Sequence, residues 1–410
     1  MKFKLISSLA ILGCALLGYK AWESTIVPED IPAEEVSTVK TLDFIMWLVG
    51  LMDRALEYSG IQPRPIIRKL LSSLAKIPES HAFNPHIQVH EEEMAGVPVL
   101  HFKYDSSESV RTTPGAIIIY FHGGGWQVLN SRSPFALLSN LTESLRIPSL
   151  SVEYRLAPEY PYPAAFEDCL KVTNYVLTNH KRLAVDPNKI IVAGDSAGGN
   201  LAAAVALKLK KKIRLQVLIF PTLQAFDFQT PSYREHADTL KHILSPRKMV
   251  SYAFDYAGLP QSALHLMRSN KHISKSTRSK YGSYVHSDLV KDSSFSQLSS
   301  LPHSTMSYGS DAALVKDIET RVLDSFFAPL MADTLDNVTD AYVITGQHDI
   351  LRDDGIFYCS RLSQAANVRC ELRNYKQGFH GFIHFLVGPL RITSAKQAVA
   401  DLIEHLKTVI

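Results

Sequence analysis

A serine between two glycines, placed where an apolar strand meets a helix of small residues, constrains the fold of this chain more than any other feature. The segment reads Ile191-Val-Ala-Gly-Asp-Ser-Ala-Gly-Gly199, with Ser196 after Asp195. Residues 189–193 are predicted to form a buried strand and residues 200–210 a helix of strong helix formers. A turn this tight strains the serine backbone and excludes side chains two positions away on either side. The pattern predicts a nucleophile elbow, with Asp195 in a supporting role.

A second motif follows another apolar strand. Residues 116–121, Ala-Ile-Ile-Ile-Tyr-Phe, lead into His122-Gly123-Gly124-Gly125-Trp126. Consecutive glycines leave backbone N–H groups open to a cavity, where they can bind a developing negative charge. Loss of one such donor typically costs about 3 to 4 kcal/mol of transition-state stabilisation. A phosphate-binding loop is the alternative, but no Gly-Lys-Ser/Thr follows. We predict an oxyanion site in this loop.

The acid and the base that a serine nucleophile requires follow two later strands. Residues 341–345 are predicted to form a strand, and Asp349 comes shortly after it; residues 368–373 are predicted to form the last strand, and His380 follows it. We predict that His380 takes the proton of Ser196 and that Asp349 orients the imidazole. Serine, acid and base in this chain order, each at the carboxyl end of a different strand, are typical of α/β-hydrolases.

Neighbouring ionisable residues have other predicted roles. Asp353 and Asp354 are expected to cap or begin the helix after the acid, where carboxylates meet the positive end of the helix dipole. His384 is the rival base, but its spacing favours a packed or surface helix residue. His122 and His348 are expected to support the site from its surroundings.

The motifs resemble a known family. Together with residues 154–159 (Tyr-Arg-Leu-Ala-Pro-Glu), 220–233 and 327–333, they are similar to the hormone-sensitive-lipase-like group of α/β-hydrolases, in its arylacetamide deacetylase and neutral cholesterol ester hydrolase branch. The resemblance implies a mostly parallel central sheet with helices on both faces and a helical cap. It also implies oxyanion donors at the N–H groups of Gly123, Gly124, Gly125 and Ala197.

Charge and cysteine content argue against several other classes of protein. The formal net charge of +3 over 410 residues gives no reason to expect a nucleic-acid partner. The cysteines are too few and scattered for a disulfide framework or a zinc site. No metal or organic cofactor is expected, because the serine route needs none. The four cysteines are Cys14, Cys169, Cys359 and Cys370. Among the last three we expect at most one pair to form a disulfide, and we expect most of them to be free thiols. Some relatives carry cysteines at the positions of Gln127 and Gly346, so a bridge between those loops is absent here.

The start of the chain suggests a location. Residues 5–19 carry no charge and lie between lysines. We predict that residues 1–22 form an uncleaved signal anchor, although the apolar run is short for a hydrocarbon layer of about 30 Å. A cleaved signal peptide and a secreted enzyme are the alternative. The lysines favour a cytosolic tip, and therefore a single-pass type II protein of the endoplasmic reticulum membrane with a lumenal catalytic body. Asn140 and Asn337 are glycosylation candidates, with chance occurrence as the alternative.

Three further stretches are expected after the anchor. Residues 23–110 are predicted to form an N-terminal cap region, and residues 111–410 the catalytic domain with a cap insertion at about 226–325. Residues 44–52, Phe-Ile-Met-Trp-Leu-Val-Gly-Leu-Met, are too short to span a membrane. We expect a core-packed helix there, with an acyl pocket or contact with a bilayer surface as the alternatives.

The sequence thus predicts a membrane-anchored serine hydrolase that cleaves carboxylic esters of apolar or lipid substrates, with arylacetamides as further candidate substrates. The alternative from another class is a ligand-binding receptor on a hydrolase scaffold. A receptor of that kind usually lacks one member of the triad, whereas Ser196, Asp349 and His380 are all present here.

Overall fold

One eight-stranded sheet organises this protein, whose computed structural model describes residues 18–74, 84–105, 115–286, 308–309 and 312–410. The strand order is β1-β2-β4-β3-β5-β6-β7-β8. The strands from β3 to β8 pair in parallel, whereas β2 runs antiparallel to both β1 and β4. The predicted mostly parallel sheet is confirmed. The strands are β1 (Ile87–Met94), β2 (Val97–Tyr104), β3 (Gly115–Phe121), β4 (Ser149–Val152), β5 (Val185–Asp195), β6 (Leu215–Ile219), β7 (Ala341–His348) and β8 (Cys370–Phe379).

Helices cover both faces of this sheet, because its central strands are apolar on both sides. Residues 116–121 of β3 are all buried, as expected for a parallel strand between two layers of helices. One apolar cluster joins one face of the sheet to α4, α5 and α11, and a second joins the other face to α3 and α12. The helices outside the cap are α3 (Phe135–Leu145), α4 (Ala164–Thr178), α5 (Ala197–Leu209), α11 (Arg352–Gln364) and α12 (Thr393–Val409).

The remaining helices come from two separate parts of the chain. The first pair precedes the sheet, and the second group is inserted between β6 and β7. They are α1 (Ala33–Tyr58), α2 (Pro63–Leu74), α6 (Pro231–Glu235), α7 (Pro246–Ala257), α8 (Leu264–Arg268), α9 (Lys275–Tyr281) and α10 (Ala312–Val322). Short 3-10 helices lie at Lys210–Lys212, Gln261–Ala263, Gly282–Val285, Pro329–Met331 and Phe382–His384.

Polar contacts join these two parts into one cap. Asp43 of α1 accepts a 2.8 Å hydrogen bond from the backbone N–H of His242, and Arg64 of α2 lies 3.8 Å from Asp255 of α7. The predicted N-terminal cap region, residues 23–110, is divided in the structure. Its helical part ends with α2, and β1 and β2 belong to the main sheet.

The apolar run at residues 44–52 differs from its expected role. It lies on α1, whose buried residues Glu35, Val39, Leu42 and Asp43 all precede the run. Leu48 and Leu51 are each 45% exposed. The prediction of a core-packed helix is therefore wrong, because none of residues 44–52 is fully buried: seven are half-buried and two are exposed.

The predicted anchor lies mostly outside the described residues, which begin at residue 18. Residues 18–23 are helical. Within the parts of the chain that the structure describes, no helix combines the length and the apolar character that a membrane crossing requires.

A disulfide joins Cys359 of α11 to Cys370 of β8. Cys169 is a free, buried thiol, and Cys14 lies outside the described residues. The expectation that most of these cysteines are free is thus wrong for Cys359 and Cys370, since the helix that follows the acid packs directly against the last strand.

Candidate active site

Ser196 occupies the sharp turn between β5 and α5. Its backbone has φ 54° and ψ −118°, a conformation that a non-glycine residue rarely adopts. A side chain at Gly194 would overlap the backbone of Gly198, and one at Gly198 would overlap the carbonyl of Phe121 at the end of β3. The predicted strained elbow is confirmed, and its glycines are required by close backbone approach.

The structure brings the three predicted catalytic side chains together. Asp349 directly follows β7 and His380 directly follows β8. The Nε2 atom of His380 lies 3.0 Å from Ser196 Oγ, and its Nδ1 atom lies 2.8 Å from Asp349 Oδ2. Asp349 is 1% exposed, and its second oxygen accepts the N–H of Leu351 at 2.9 Å. The buried carboxylate is thus held in place on both oxygens, and it fixes the imidazole with Nε2 facing the hydroxyl.

The glycine loop has an unusual backbone, and two of its N–H groups lack an acceptor in the ranges that the structure describes. Gly124 and Gly125 have φ values of 106° and 60°, and a side chain at Gly125 would overlap the ring of Tyr252. Among the described residues, the backbone N–H groups of Gly124, Gly125 and Ala197 have no acceptor. These three donors therefore remain open to an oxyanion.

Gly123 departs from its predicted role. Its N–H donates a 2.9 Å hydrogen bond to Oδ1 of Asp195. A side chain at Gly123 would overlap that carboxylate. The prediction of an oxyanion donor is therefore wrong for Gly123, because its N–H serves to attach the glycine loop to the elbow.

Asp195 is the centre of a buried hydrogen-bond network. Its Oδ1 atom also accepts from the Tyr120 hydroxyl at 2.8 Å, and its Oδ2 atom lies 2.9 Å from His384 Nε2. Burial alone would raise the pKa of Asp195, but His384 and Tyr120 outweigh it, so that the pKa lies below its ordinary value. The network keeps this carboxylate charged next to Ser196.

His384 therefore has a role that its sequence position did not indicate. We expected a packed or surface helix residue, whereas it lies in a 3-10 helix and reaches a carboxylate 189 positions earlier in the chain. The only feature of the sequence that could have indicated this contact is the position of His384 four residues after His380.

His122 supports the glycine loop, as predicted. Its ring stacks on Tyr154 with centroids 4.2 Å apart, and the Tyr154 hydroxyl donates to the His122 carbonyl at 2.6 Å. Burial lowers the pKa of His122, which favours the neutral form of the ring. This stack joins the loop to the segment at residues 154–159.

Arg68 of α2 holds the same loop from the cap side. Its Nε donates to the carbonyl of Gln127 at 2.6 Å, and its NH2 group donates to the carbonyl of Ala157 at 2.7 Å. The guanidinium also pairs with Glu159 at 2.8 Å, and Arg68 is the largest cause of the lowered pKa of Glu159. Nothing in the local sequence around Arg68 pointed to these contacts, since its partners lie at least 59 positions away.

The other candidates bind partners outside the group Ser196, Asp349 and His380. His348 pairs with Asp30 at 2.7 Å. Asp353 and Asp354 lie in the first turn of α11, as predicted. Asp354 accepts from the N–H of Leu223 at 2.9 Å, and burial raises its pKa to about 7.

Both glycosylation candidates are exposed. Asn140 lies on α3, while Asn337 lies in a turn before β7 with φ 58°. In each case the threonine two positions later is fully buried: Thr142 bonds to Ser149, and Thr339 bonds to the carbonyl of Ile213.

Comparison with known proteins agrees with this geometry. Residues 118–280 and 281–384 match a family model described as alpha/beta hydrolase fold. The chain is 32% identical to neutral cholesterol ester hydrolase 1 of Mus musculus over 339 residues, covering 78% of this chain and 79% of that protein. It is 38% identical to arylacetamide deacetylase of Bos taurus over 309 residues, covering 70% and 73%. The branch resemblance predicted from the sequence is confirmed.

Solved structures show the same fold. An esterase of Pyrobaculum calidifontis superposes with a TM-score of 0.60 at 24% identity, covering 85% of this chain and 94% of that chain. An arylesterase superposes with a TM-score of 0.62 at 21% identity, covering 91% and 98%.

Proposed function

Because the chain belongs to the α/β-hydrolase family, we propose that it is a serine hydrolase that cleaves carboxylic esters of apolar substrates through an acyl-enzyme. The observation that carries this proposal is the chain of contacts from Asp349 through His380 to Ser196, at 2.8 and 3.0 Å. A serine hydroxyl is a weak nucleophile, and a base within hydrogen-bond reach is what activates it.

The geometry supports a two-step reaction. Ser196 Oγ attacks the carbonyl carbon while His380 Nε2 takes its proton, and the N–H groups of Gly124, Gly125 and Ala197 receive the oxyanion. Asp349 keeps the proton of His380 on Nδ1 and stabilises the imidazolium. The imidazolium then gives its proton to the leaving alcohol, and the acyl group stays on Ser196.

Water completes the cycle by the same groups. His380 takes a proton from water, which attacks the acyl carbonyl, and returns it to Ser196 Oγ as the acid leaves. All proton transfers pass through the one nitrogen that faces the serine, and every step uses side chains or backbone groups of this chain.

The substrates follow from the relatives. The matched proteins are named for cholesterol ester hydrolysis and arylacetamide deacetylation. We therefore propose apolar esters as the main substrates and acylated arylamines as secondary ones. Hydrolysis rates for a series of acyl esters of increasing length and one arylacetamide would rank these classes.

The central test is Ser196→Ala with a short p-nitrophenyl ester. We expect turnover to fall by at least about a millionfold, to the background rate, because the nucleophile is removed. Ser139→Ala is the matched control, since its buried hydroxyl has no hydrogen-bond partner within the described part of the chain. The control should keep full activity. Retained hydrolysis in Ser196→Ala, or no labelling of the native protein by a fluorophosphonate, would overturn the assignment.

We also propose that the enzyme is anchored by residues 1–22 in the endoplasmic reticulum membrane with its body in the lumen. The uncharged residues 5–19 support the anchor. The Cys359–Cys370 disulfide supports the lumen, since such bonds persist in oxidising compartments. The exposed Asn140 and Asn337 are compatible acceptors for glycans.

Two measurements test this location. After alkaline carbonate extraction of cell membranes, we expect the full chain to remain in the pellet. Treatment with an endoglycosidase should increase its gel mobility, and Asn337→Gln should remove part of that shift. Recovery of the protein in the supernatant, or secretion of a shortened chain, would favour the cleaved signal peptide instead.

A further inference from the structure

An apolar stripe runs along α1 from Phe44 to the end of the helix, and all of it after Phe44 is exposed. The stripe consists of Phe44, Leu48, Leu51, Ala55 and Tyr58, whose spacing of four, three, four and three residues places them on one side of the helix. Leu48 and Leu51 are each 45% exposed and Tyr58 is 94% exposed. A surface helix normally turns such a stripe toward the core, so this orientation is the reverse of the usual one.

The apolar surface continues beyond the end of α1. Ile61, in the turn that follows, is 49% exposed, and Ile66 on α2 is 40% exposed. Together with the stripe they make up what we call the apolar hairpin face, of which every residue except Phe44 is exposed. Exposed apolar side chains concentrated in one part of a surface indicate an interaction site.

The path of the chain indicates what lies against this face. The side chain that a residue other than glycine would have at Gly18 would contact the ring of Phe44, at 3.4 Å. Trp22 lies beside the same helix, with Lys40 Nζ 4.8 Å from its ring centre. Gly18, which belongs to the uncharged run at residues 5–19, thus lies beside the first residue of the stripe.

We propose that the apolar hairpin face lies in the interfacial layer of a lipid bilayer and forms a second membrane contact beside the N-terminal anchor. This proposal rests on the proposed membrane anchoring. An anchor that enters the body next to Phe44 holds the face within a few residues of the bilayer surface. From Phe44 to Tyr58 the stripe is about 21 Å long, which suits an amphipathic helix lying flat at the depth of the headgroups.

This orientation places the site close to its apolar substrates. The same hairpin carries Arg68, which touches the carbonyl of Gln127 in the glycine loop. An ester dissolved in the bilayer would therefore meet the cap on the side where α2 contacts that loop, without first crossing water.

Depth-dependent quenching tests the contact directly. The full chain carrying Cys14→Ser and Leu48→Cys would be labelled with an environment-sensitive fluorophore and reconstituted into phosphatidylcholine nanodiscs with spin-labelled lipids. Lys212→Cys is the control, because residue 212 follows the end of α5, at the edge of the sheet opposite Ser196. We expect strong quenching and a blue-shifted emission at position 48, and neither at position 212.

A second measurement separates docking from folding. Leu48→Glu with Leu51→Glu should reduce the turnover of a long-chain ester embedded in vesicles by about tenfold or more, since two leucine side chains lose their transfer to the bilayer. Turnover of a short soluble ester should stay unchanged. The matched variant Leu48→Phe with Leu51→Phe keeps the face apolar and should retain both activities.

The outcomes are distinct. Equal quenching at positions 48 and 212, or equal loss of both ester activities in the glutamate variant, would overturn the proposal. So would protection of position 48 from lipid quenchers together with a doubled particle mass, which would mean that a second copy covers the face. None of these results concerns Ser196, whose role is tested separately by Ser196→Ala on the soluble ester.

Discussion

At the scale of single residues, Asp195 connects β3, the glycine loop and the segment that follows His380. One of its oxygens receives Tyr120 and Gly123, and the other faces His384. Asp195 therefore links the turn that carries Ser196 to the glycine loop, through a single carboxylate that is 4% exposed.

Replacing that carboxylate gives a first prediction. Asp195→Ala should lower the free energy of unfolding by about 3 kcal/mol, because two buried donors lose their acceptor at about 1 to 3 kcal/mol each. Asp195→Asn keeps an oxygen for Tyr120 and Gly123 and should cost less than half as much. Urea unfolding followed by circular dichroism measures both. Equal stability of the alanine variant and the native protein would contradict this account.

The orienting acid gives a second prediction. Asp349→Asn preserves the shape of the side chain but removes the charge that stabilises the imidazolium of His380. We expect kcat to fall by about ten-thousandfold with little change in the unfolding midpoint. Steady-state kinetics with a soluble ester measure the loss, and a decrease of less than tenfold would show that another group orients His380.

At the scale of elements, the cap helix α2 and the glycine loop are connected by one side chain. Arg68 binds two backbone carbonyls and the carboxylate of Glu159. The N–H groups of Gly124 and Gly125 lie just before the Gln127 carbonyl in the same loop. Movement of α2 is therefore expected to change the placement of these two N–H groups, which are the proposed oxyanion donors.

Arg68→Ala should accordingly lower kcat for a short ester by about tenfold to a hundredfold with KM nearly unchanged, since the donors act on the transition state. Arg64→Ala is the control on the same helix, because Arg64 pairs with Asp53 at 2.8 Å and, within the described ranges, donates to no carbonyl of the glycine loop. A change in KM alone in Arg68→Ala would assign the arginine to substrate binding.

The disulfide is the second link between elements. It ties α11, which follows Asp349, to β8, which precedes His380, across a separation of 11 residues. Cys359→Ala with Cys370→Ala should lower the free energy of unfolding by about 3 kcal/mol, mainly because the unfolded chain gains freedom. Thermal unfolding with and without a reductant checks this value, and the reductant should have no effect on the double variant.

At the scale of the whole molecule, buried histidines set the response to acid. Burial lowers the pKa of His101, His236 and His272 to about 4, from an ordinary value of 6.5. The unfolded chain therefore binds more protons than the folded one between these pH values. The stability that the neutral rings contribute is fully present above pH 6.5 and is lost as the pH falls toward 4.

Calorimetric melting at intervals between pH 7.5 and 4 should show this loss as a continuous decrease in the unfolding temperature. His272→Gln should flatten the decrease, as Gln keeps a donor for the carbonyl of Ala225, which lies 2.8 Å from His272 Nε2. A flat profile in the native protein would contradict the buried neutral state of these histidines.

The sequence predicted the parts of this molecule that depend on local geometry. Ser196 and its flanking glycines were recognisable because a strand, a tight turn and a helix follow each other within a few residues. Asp349 and His380 were recognisable from their positions after strands. Arg68 and His384 were not, because their contacts join segments far apart in the chain and leave no local periodic signal. The run at residues 44–52 has the apolar composition of a core helix. Its exposure depends on tertiary packing, which the composition does not reveal.

The order of the strands in the sheet also determines at which stage of folding the site forms. Strands β6 and β7 are neighbours in the sheet, with Leu218 paired to Val343, although the whole cap insertion separates them along the chain. Ser196 and His380 are 184 positions apart. Pairing across such separations closes large loops and is slow, and a shift of one residue would turn every side chain of a strand to the other face. During refolding, Ser196 should therefore react with a fluorophosphonate only after the last strand has paired in its native register. Partially folded chains should not react with the reagent before that step.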